Sequence, residues 1–199
     1  MQVLLLGPQG SGKGTQAKRI QSEYELPHIA TGDILRSAIA DGSELGRRVK
    51  DVVDRGDLVP DELMVELIRE RLRLEDAGRG FVLDGFPRTL AQAESLDEML
   101  GEIGKPLSVV LELRVPRTVV VERLLRRAQD EGRTDDTPEV IDRRLALYDE
   151  LTQPVVDHYA PTGHLVVIHG DKPVDAVWSE IQNVLEQAND HDHATGTVR

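Results

Sequence analysis

The sequence predicts an α/β fold, a central parallel sheet of five strands covered on both faces by helices. Three observations lead there. Five short apolar runs, at 3–6, 28–30, 81–83, 109–113 and 165–168, alternate with longer amphipathic stretches, the rhythm of β-α-β units. Each run is nearly all apolar rather than alternating, as expected of a strand packed by helices on both sides. A glycine-rich segment, Gly7-Pro8-Gln9-Gly10-Ser11-Gly12-Lys13-Gly14-Thr15, directly follows the first run and opens a helix.

In chain order, strand 3–6 is ended by Gly7-Pro8, and a helix is expected over 15–25 before the short strand 28–30. Residues 31–60 fit the alternation poorly. They hold helical pieces at 34–41 and 44–55, punctuated by Gly42, Gly46, Gly56 and Pro60, and read as an appendage on the sheet domain. A helix over 61–75 follows from Met64, Leu67, Ile68 and Leu72, at offsets 0, 3, 4 and 8 on one helix face. Strand 81–83, helix 90–102, strand 109–113 and helix 117–127 continue the pattern. Residues 128–137 (AQDEGRTDDT) are polar, with no apolar anchor, and form a second candidate moving part. Thr137-Pro138 reads as an N-cap and first helical position for a helix over 139–158. Strand 165–168 and a helix over 173–188 finish the domain, and 189–199 (NDHDHATGTVR), without periodicity, are expected to be disordered.

Of 199 residues, 39% are hydrophobic, enough to bury one core. Twenty-four basic against 36 acidic residues leave a net charge of −12, which argues against nucleic-acid or anionic-membrane partners but leaves room for a local basic pocket. No cysteine occurs, which excludes disulfides, thiolate catalysis and cysteine-ligated metals. No run approaches the ~20 apolar residues of a membrane span. Residues 1–6 (MQVLLL) lack the basic start of a secretory signal, so a soluble, cytoplasmic protein is expected.

The glycine-rich segment carries the P-loop spacing, with Gly7, Gly12 and Lys13 at the required offsets. Its glycines let successive N–H groups turn toward phosphate oxygens, the helix start adds its positive end, and Lys13 adds a full charge. The hydroxyl that reaches Mg²⁺ would come from Thr15, since Gly14 follows the lysine. A glycine-rich turn beside a stray lysine would explain each residue separately, but not their placing between strand and helix. Phe81-Val82-Leu83-Asp84 is an apolar strand ending in a carboxylate, which faces the ligand crevice of such a sheet and can hold Mg²⁺ through water. Further arginines, Arg36, Arg88, Arg123, Arg127, Arg133 and Arg144, stand beside glycine-rich or hinge-like segments. Arg123 and Arg127 share a helix face, and guanidinium groups suit bidentate phosphate binding.

In these pieces the sequence resembles the adenylate kinases over nearly its full length, to about residue 188. The matching segments are GPQGSGKGT (7–15), ATGDILR (30–36), GDLVPDEL (56–63), GFVLDGFPRTLAQA (80–93), VERLLRR (121–127), RTDD (133–136), RRLALYDE (143–150), QP (153–154) and GDKPV (170–174). The resemblance implies a P-loop-containing three-layer αβα fold with a small helical nucleoside-monophosphate-binding insertion and a short lid, as in the short-lid bacterial type. Its domains would be a core of 1–29, 60–125 and 137–188, the insertion at 30–59 and the lid at 126–136. It implies that Gly10, Ser11, Gly12, Lys13, Gly14 and Thr15 bind the ATP phosphates, with Mg²⁺ held by Thr15 and Asp84 and no zinc. Arg123 would meet ATP near the transferring phosphate, Arg127 the adenine face, and Lys172 the adenine through its backbone. AMP would lie on Thr31, Arg36, Asp57, Leu58, Val59, Gly85, Phe86, Pro87, Arg88 and Gln92. Arg133 and Arg144 would swing in with the lid, and Asp135 and Asp136 would cap or hinge it. Lys13, Arg88, Arg123, Arg133 and Arg144 would be the catalytic set, and the partners ATP, AMP and ADP on a monomer.

The reaction so implied, Mg·ATP with AMP giving two ADP, needs no general base, because the attacking AMP oxygen is already anionic. It agrees that no base motif stands out among the six histidines. A UMP or CMP kinase shares most of these motifs, and Thr31 and Gln92 favour AMP. A GTPase switch would need an Asn-Lys-x-Asp tetrapeptide, which does not occur.

Overall fold

The computed structural model describes residues 1–131 and 136–195, with side chains described for 1–130 and 136–189. From the N-terminus run β1 (Gln2–Leu6), α1 (Lys13–Tyr24), β2 (His28–Ala30), α2 (Thr31–Ala40), α3 (Glu44–Asp54) and α4 (Asp61–Leu72). Then come β3 (Phe81–Asp84), α5 (Leu90–Glu102), β4 (Val109–Arg114), α6 (Arg117–Glu131) and α7 (Pro138–Leu147). After α8 (Gln153–Tyr159) and β5 (Leu165–His169), α9 (Val174–Thr195) closes the described chain.

The five strands pair in parallel in the order β2-β3-β1-β4-β5, so every strand runs its C-terminal end to the same edge. Successive side chains of each strand go to opposite faces, and both faces are buried. Val3, Leu5, Val82, Leu111 and Leu113 pack with Ala17 and Ile20 of α1 and Val177, Ile181 and Leu185 of α9. Leu4, Leu6, Phe81, Leu83 and Val110 pack on the other side with Met64 and Ile68 of α4, Leu96 and Leu100 of α5, and Val155 and Tyr159 of α8. This is the three-layer αβα fold. A small third cluster, Val120, Leu124, Ile141 and Leu145, joins α6 to α7.

Register fixes what meets at the functional edge. Asp84 pairs with Leu5 on one side and Ala30 on the other, so the segments following β1, β2 and β3 leave the sheet level with one another.

Three departures from the sequence reading have local causes. The helix expected over 139–158 is broken by a π-helical turn, Tyr148–Thr152. Pro154 has no N–H to continue the ladder, and the N–H of Gln153 bonds back to Tyr148 O instead. The helix expected from 34 begins at Thr31, with strand β2 feeding directly into it. The last helix, expected to stop at 188 before a disordered tail, continues to Thr195, because no glycine or proline interrupts 174–195. Residues 132–135, and Arg133 with them, lie outside the described residues.

α2 and α3 are joined by a turn that Ser43 ties at both ends. Its hydroxyl accepts from Gly46 N at 3.1 Å and donates to Ala38 O at 3.0 Å. α3 rests so closely on α2 here that a Cβ at Gly46 would stand 2.0 Å from Ala38 O. Backbone cannot give way by that much, so Gly46→Ala should cost at least the ~1–3 kcal/mol of ordinary overpacking. Thermal unfolding should show a lowered midpoint; an unchanged Tm would mean that this helix pair is not packed as described.

Candidate active site

The loop between β1 and α1 stands between strand and helix where the sequence predicts a phosphate-binding turn. Gly7, at φ +137°, lies so near β4 that a Cβ would come within 2.6 Å of Leu113 O, a position that excludes other residues. Lys13, the first residue of α1, folds back over the loop and donates to Gly7 O at 2.7 Å and Pro8 O at 2.9 Å. Its position deep in the cleft pushes its pKa down to about 8; Asp84 opposes that effect, and Arg88 and Arg127 reinforce it.

Asp84 ends β3 beside the first turn of α1, where a Cβ on Gly14 would lie 3.8 Å from its Oδ2. Burial raises its pKa, but His28, Lys13 and Arg88 outweigh burial and leave it below the usual carboxylate range. His28 Nε2 stands 3.6 Å from Oδ2, an electrostatic contact too long for a hydrogen bond. An ionised carboxylate next to the helix turn that carries the Thr15 hydroxyl offers the hard oxygen donors that Mg²⁺ takes, so these residues fit the ion.

The second half of the cleft is built on the loops after β2 and β3. Thr31 is fully buried, and its hydroxyl donates to Asp84 O at 3.3 Å. Arg88 donates from Nε to Gly85 O at 2.8 Å, and its carbonyl accepts from the Thr152 hydroxyl at 2.9 Å. Burial lowers the pKa of Arg88; Asp84 counteracts this, while Arg144 and Arg36 add to it. Gln92 lines the cleft, yet both ends of its amide are engaged. Oε1 accepts from Arg88 N at 2.8 Å, and Nε2 donates to Asp61 Oδ1 at 2.7 Å. Contact with a base would have to use its remaining N–H or lone pair. Asp61, which also accepts from the Thr89 hydroxyl at 2.9 Å, was missed by sequence reasoning. Phe86 is completely buried in the core, so only its backbone is available to the cleft. Arg36 pairs with Asp33. Asp57, Leu58 and Val59 line the cleft, and Asp57 accepts from Arg143 at 2.9 Å and Arg55 at 3.2 Å, which together hold its carboxyl below its ordinary pKa.

The arginines of α6 and α7 are gathered by one carboxylate. Asp136, 3% exposed, accepts from Arg127 Nε and Nη2 at 2.8 and 2.6 Å on Oδ2, and from Arg144 Nη1 at 2.8 Å on Oδ1. Sequence reasoning gave Asp136 a capping or hinge role; the cap of α7 is Thr137, whose hydroxyl accepts from Val140 N at 3.3 Å. Arg123 Nη1 donates to Gly170 O at 2.8 Å, and Lys172 is paired with Glu180.

One cleft of about 760 Å³ is lined by Gly10 to Thr15, Thr31, Arg36, Asp84, Arg88, Arg123, Arg127, Arg144 and Lys172. Its size suits small-molecule ligands. Every expected contact residue within the described side chains, apart from Phe86, borders this space, and its wall is cationic in a chain of net charge −12.

Comparison with known proteins agrees with that geometry. The family model described as adenylate kinase matches residues 5–164. A Cyanothece adenylate kinase is 48% identical over 185 residues, which cover 93% of this chain and 95% of the relative. One from Caulobacter vibrioides is 48% identical, covering 94% and 97%, and one from Archaeoglobus fulgidus is 41% identical, covering 94% and 99%. With the family model spanning most of the chain and such relatives matched almost end to end, the chain belongs to the adenylate kinase family.

Proposed function

We propose that this cleft transfers the terminal phosphoryl group reversibly from Mg·ATP to AMP, giving two ADP, and so serves purine nucleotide and energy homeostasis. The observation that carries the reading is the level register of β1, β2 and β3. It sets the glycine-rich loop, Thr31 and the Gly85–Arg88 turn around Asp84 in one cavity, which supports a reading with one nucleotide on each side of that carboxylate.

In this reading residues 10–15 hold the donor phosphates, and Lys13 exchanges its two carbonyl partners for phosphate oxygen. Thr15 and Asp84 would hold Mg²⁺, partly through water, and the ion would supply charge neutralisation and orientation at the donor phosphates. Arg123 and Arg127 meet ATP, and the backbone of Lys172 meets the adenine. Thr31, Arg36, the 57–59 turn, residues 85–88 and Gln92 receive AMP. Arg144, joined by Arg133 from the lid, reaches across to the phosphates. Because the acceptor oxygen is already an anion, the side chains have three tasks: neutralise charge, align donor and acceptor, and exclude water. We read the protein as a cytoplasmic monomer whose partners are nucleotides, without nucleic acid or membrane. The exposed large apolar side chains among the described residues, Leu74, Leu90, Ile103, Leu125 and Val174, are spread along the chain rather than confined to one element. A coupled assay of ATP against AMP, GMP, UMP and CMP tests the reading; preference for a pyrimidine acceptor would replace it with a UMP or CMP kinase.

Lys13→Gln should remain folded while kcat falls roughly 10²–10³-fold, because its charge matters most as the phosphoryl group moves. Turnover close to wild type would remove Lys13 from that role. Thr31→Ala should raise the KM for AMP and narrow the gap to UMP and CMP, a loss of about 1–3 kcal/mol for an unpaired polar partner. If the Thr31→Ala, Gln92→Ala double variant keeps the same acceptor ranking, selection resides elsewhere. Arg133→Ala should lower kcat and kcat/KM together, with ATP binding to the enzyme alone unaltered. Weaker ATP binding at constant kcat would make Arg133 a ground-state contact instead.

A further inference from the structure

The turn between β5 and α9 is gripped from two sides. Arg123 Nη1 donates to Gly170 O at 2.8 Å, and Gln16 Nε2 donates to Val174 O at 3.1 Å across 158 positions of sequence. Gln16 sits on the first turn of α1, three residues after Lys13, and is 2% exposed. Its amide can be oriented only one way, because a carbonyl must be met by the nitrogen. That leaves Oε1 buried without a hydrogen-bond partner among the described residues. A side chain present only to fill this space would do so better as leucine or methionine, which leave no acceptor unpaired. The amide is therefore explained by the bond it makes to Val174.

The two grips differ in what happens to them when nucleotide arrives. If Arg123 turns to the phosphates, as the proposed function requires, Gly170 O loses that donor. A second α1 side chain, Arg19, meets Asp175 at 2.6 Å, but Asp175 is 89% exposed and such pairs hold little. Gln16 is the buried side-chain link that persists from the phosphate loop's helix to the 170–174 turn.

We propose that Gln16 is a positioning residue for the base of the donor nucleotide. It fixes the turn that carries Lys172 at a set distance from the loop that holds the phosphates, so that a triphosphate seated at residues 10–15 delivers its base to a formed site. The inference rests on the proposed function for its placing of donor phosphate and base. It assigns to Gln16 a share of donor affinity and base discrimination, and none of the chemistry. Without the tether, the phosphates bind as before while the base finds a looser seat.

Trp178, the chain's one tryptophan, reports on this directly. It lies on α9 one turn beyond Val174, with the Arg19 guanidinium 6.0 Å from its ring centre. The test titrates ATP against Trp178 fluorescence without acceptor and measures KM and kcat with ATP or GTP as donor, in wild type, Gln16→Leu and Gln16→Met. Either variant that keeps a cooperative melt serves. The expected result is an ATP Kd and KM raised about three- to tenfold, the scale of one net hydrogen bond, with kcat and the KM for AMP nearly constant and the preference for ATP over GTP reduced. Unchanged ATP Kd and KM, or equal rises for ATP and AMP, would overturn the proposal. A wild type that binds ATP but fails to phosphorylate AMP would instead defeat the proposed function, and the Trp178 titration would still decide the tether.

Discussion

The constraint on which the site depends is the crowding of positive charge around an empty space. Lys13, Arg36, Arg88, Arg123, Arg127 and Arg144 border one cleft, and burial, with a smaller push from neighbouring cations, lowers the pKa of Lys13 and Arg88 against the pull of Asp84. The fold tolerates this by giving each cation a protein oxygen. Lys13 rests on the carbonyls of its own loop, Arg88 on Gly85 O, Arg123 on Gly170 O, Arg36 on Asp33, and Arg127 and Arg144 share Asp136. Phosphate oxygens are stronger partners than carbonyls, since charge-assisted hydrogen bonds are roughly twice as strong as neutral ones. In the proposed reading nucleotide binding is an exchange of partners, and Lys13, Arg88 and Arg123 have the most to gain because theirs are neutral.

The sheet makes that crowding possible. Parallel pairing sends every C-terminal strand end to one edge, and the order β2-β3-β1-β4-β5 puts β1 at the centre with the chain departing to both sides. That reversal is where open α/β sheets form their ligand crevice. The residues that line both halves of the cleft come largely from loops after three neighbouring strands, and rigidity comes from the buried faces below. The α2–α3 hairpin is different. Of the apolar side chains it packs on the core, Leu35 and Val49 are buried while Ile34, Ile39, Leu45, Val52 and Val53 are partly exposed, and its return loop is tied to α7 through Asp57 and Arg143 on the surface. An exposed ion pair is weak, so this connection permits rearrangement more readily than the sheet does.

Much of this was legible in the sequence because it is local. The apolar runs that mark the strands, the P-loop spacing, the carboxylate ending β3 and the Thr137-Pro138 start of α7 are each read within a few residues, and the structure has all of them. Partners chosen across the fold were not legible. Nothing near Gln92 says that its amide will be occupied by Arg88 N and Asp61, and nothing near Asp136 says that two helices will aim arginines at it. The break at Tyr148–Thr152 falls between: Pro154 signals an interruption, but periodicity alone does not say that the chain resumes as α8 after a π turn.

The acidic exterior bears on the same charge problem from outside. A net charge of −12 repels nucleotide at long range, yet at physiological salt the screening length is about 8 Å, so the sum over the surface matters less than what lies within that distance of the ligand. Within the cleft that neighbourhood is cationic, and its low-dielectric walls screen it less than the surface is screened. Surface carboxylates therefore discourage phosphate from lodging elsewhere, while contributing little repulsion within the cleft. Among the described residues, the carboxylates that do border the cleft are Asp33, Asp57, Asp84 and Asp130, and Asp136 holds two of its arginines. Asp33 is paired with Arg36, Asp57 with Arg55 and Arg143, and Asp136 with Arg127 and Arg144, while Asp84, ionised beside Lys13, would suit a divalent cation in the proposed reading.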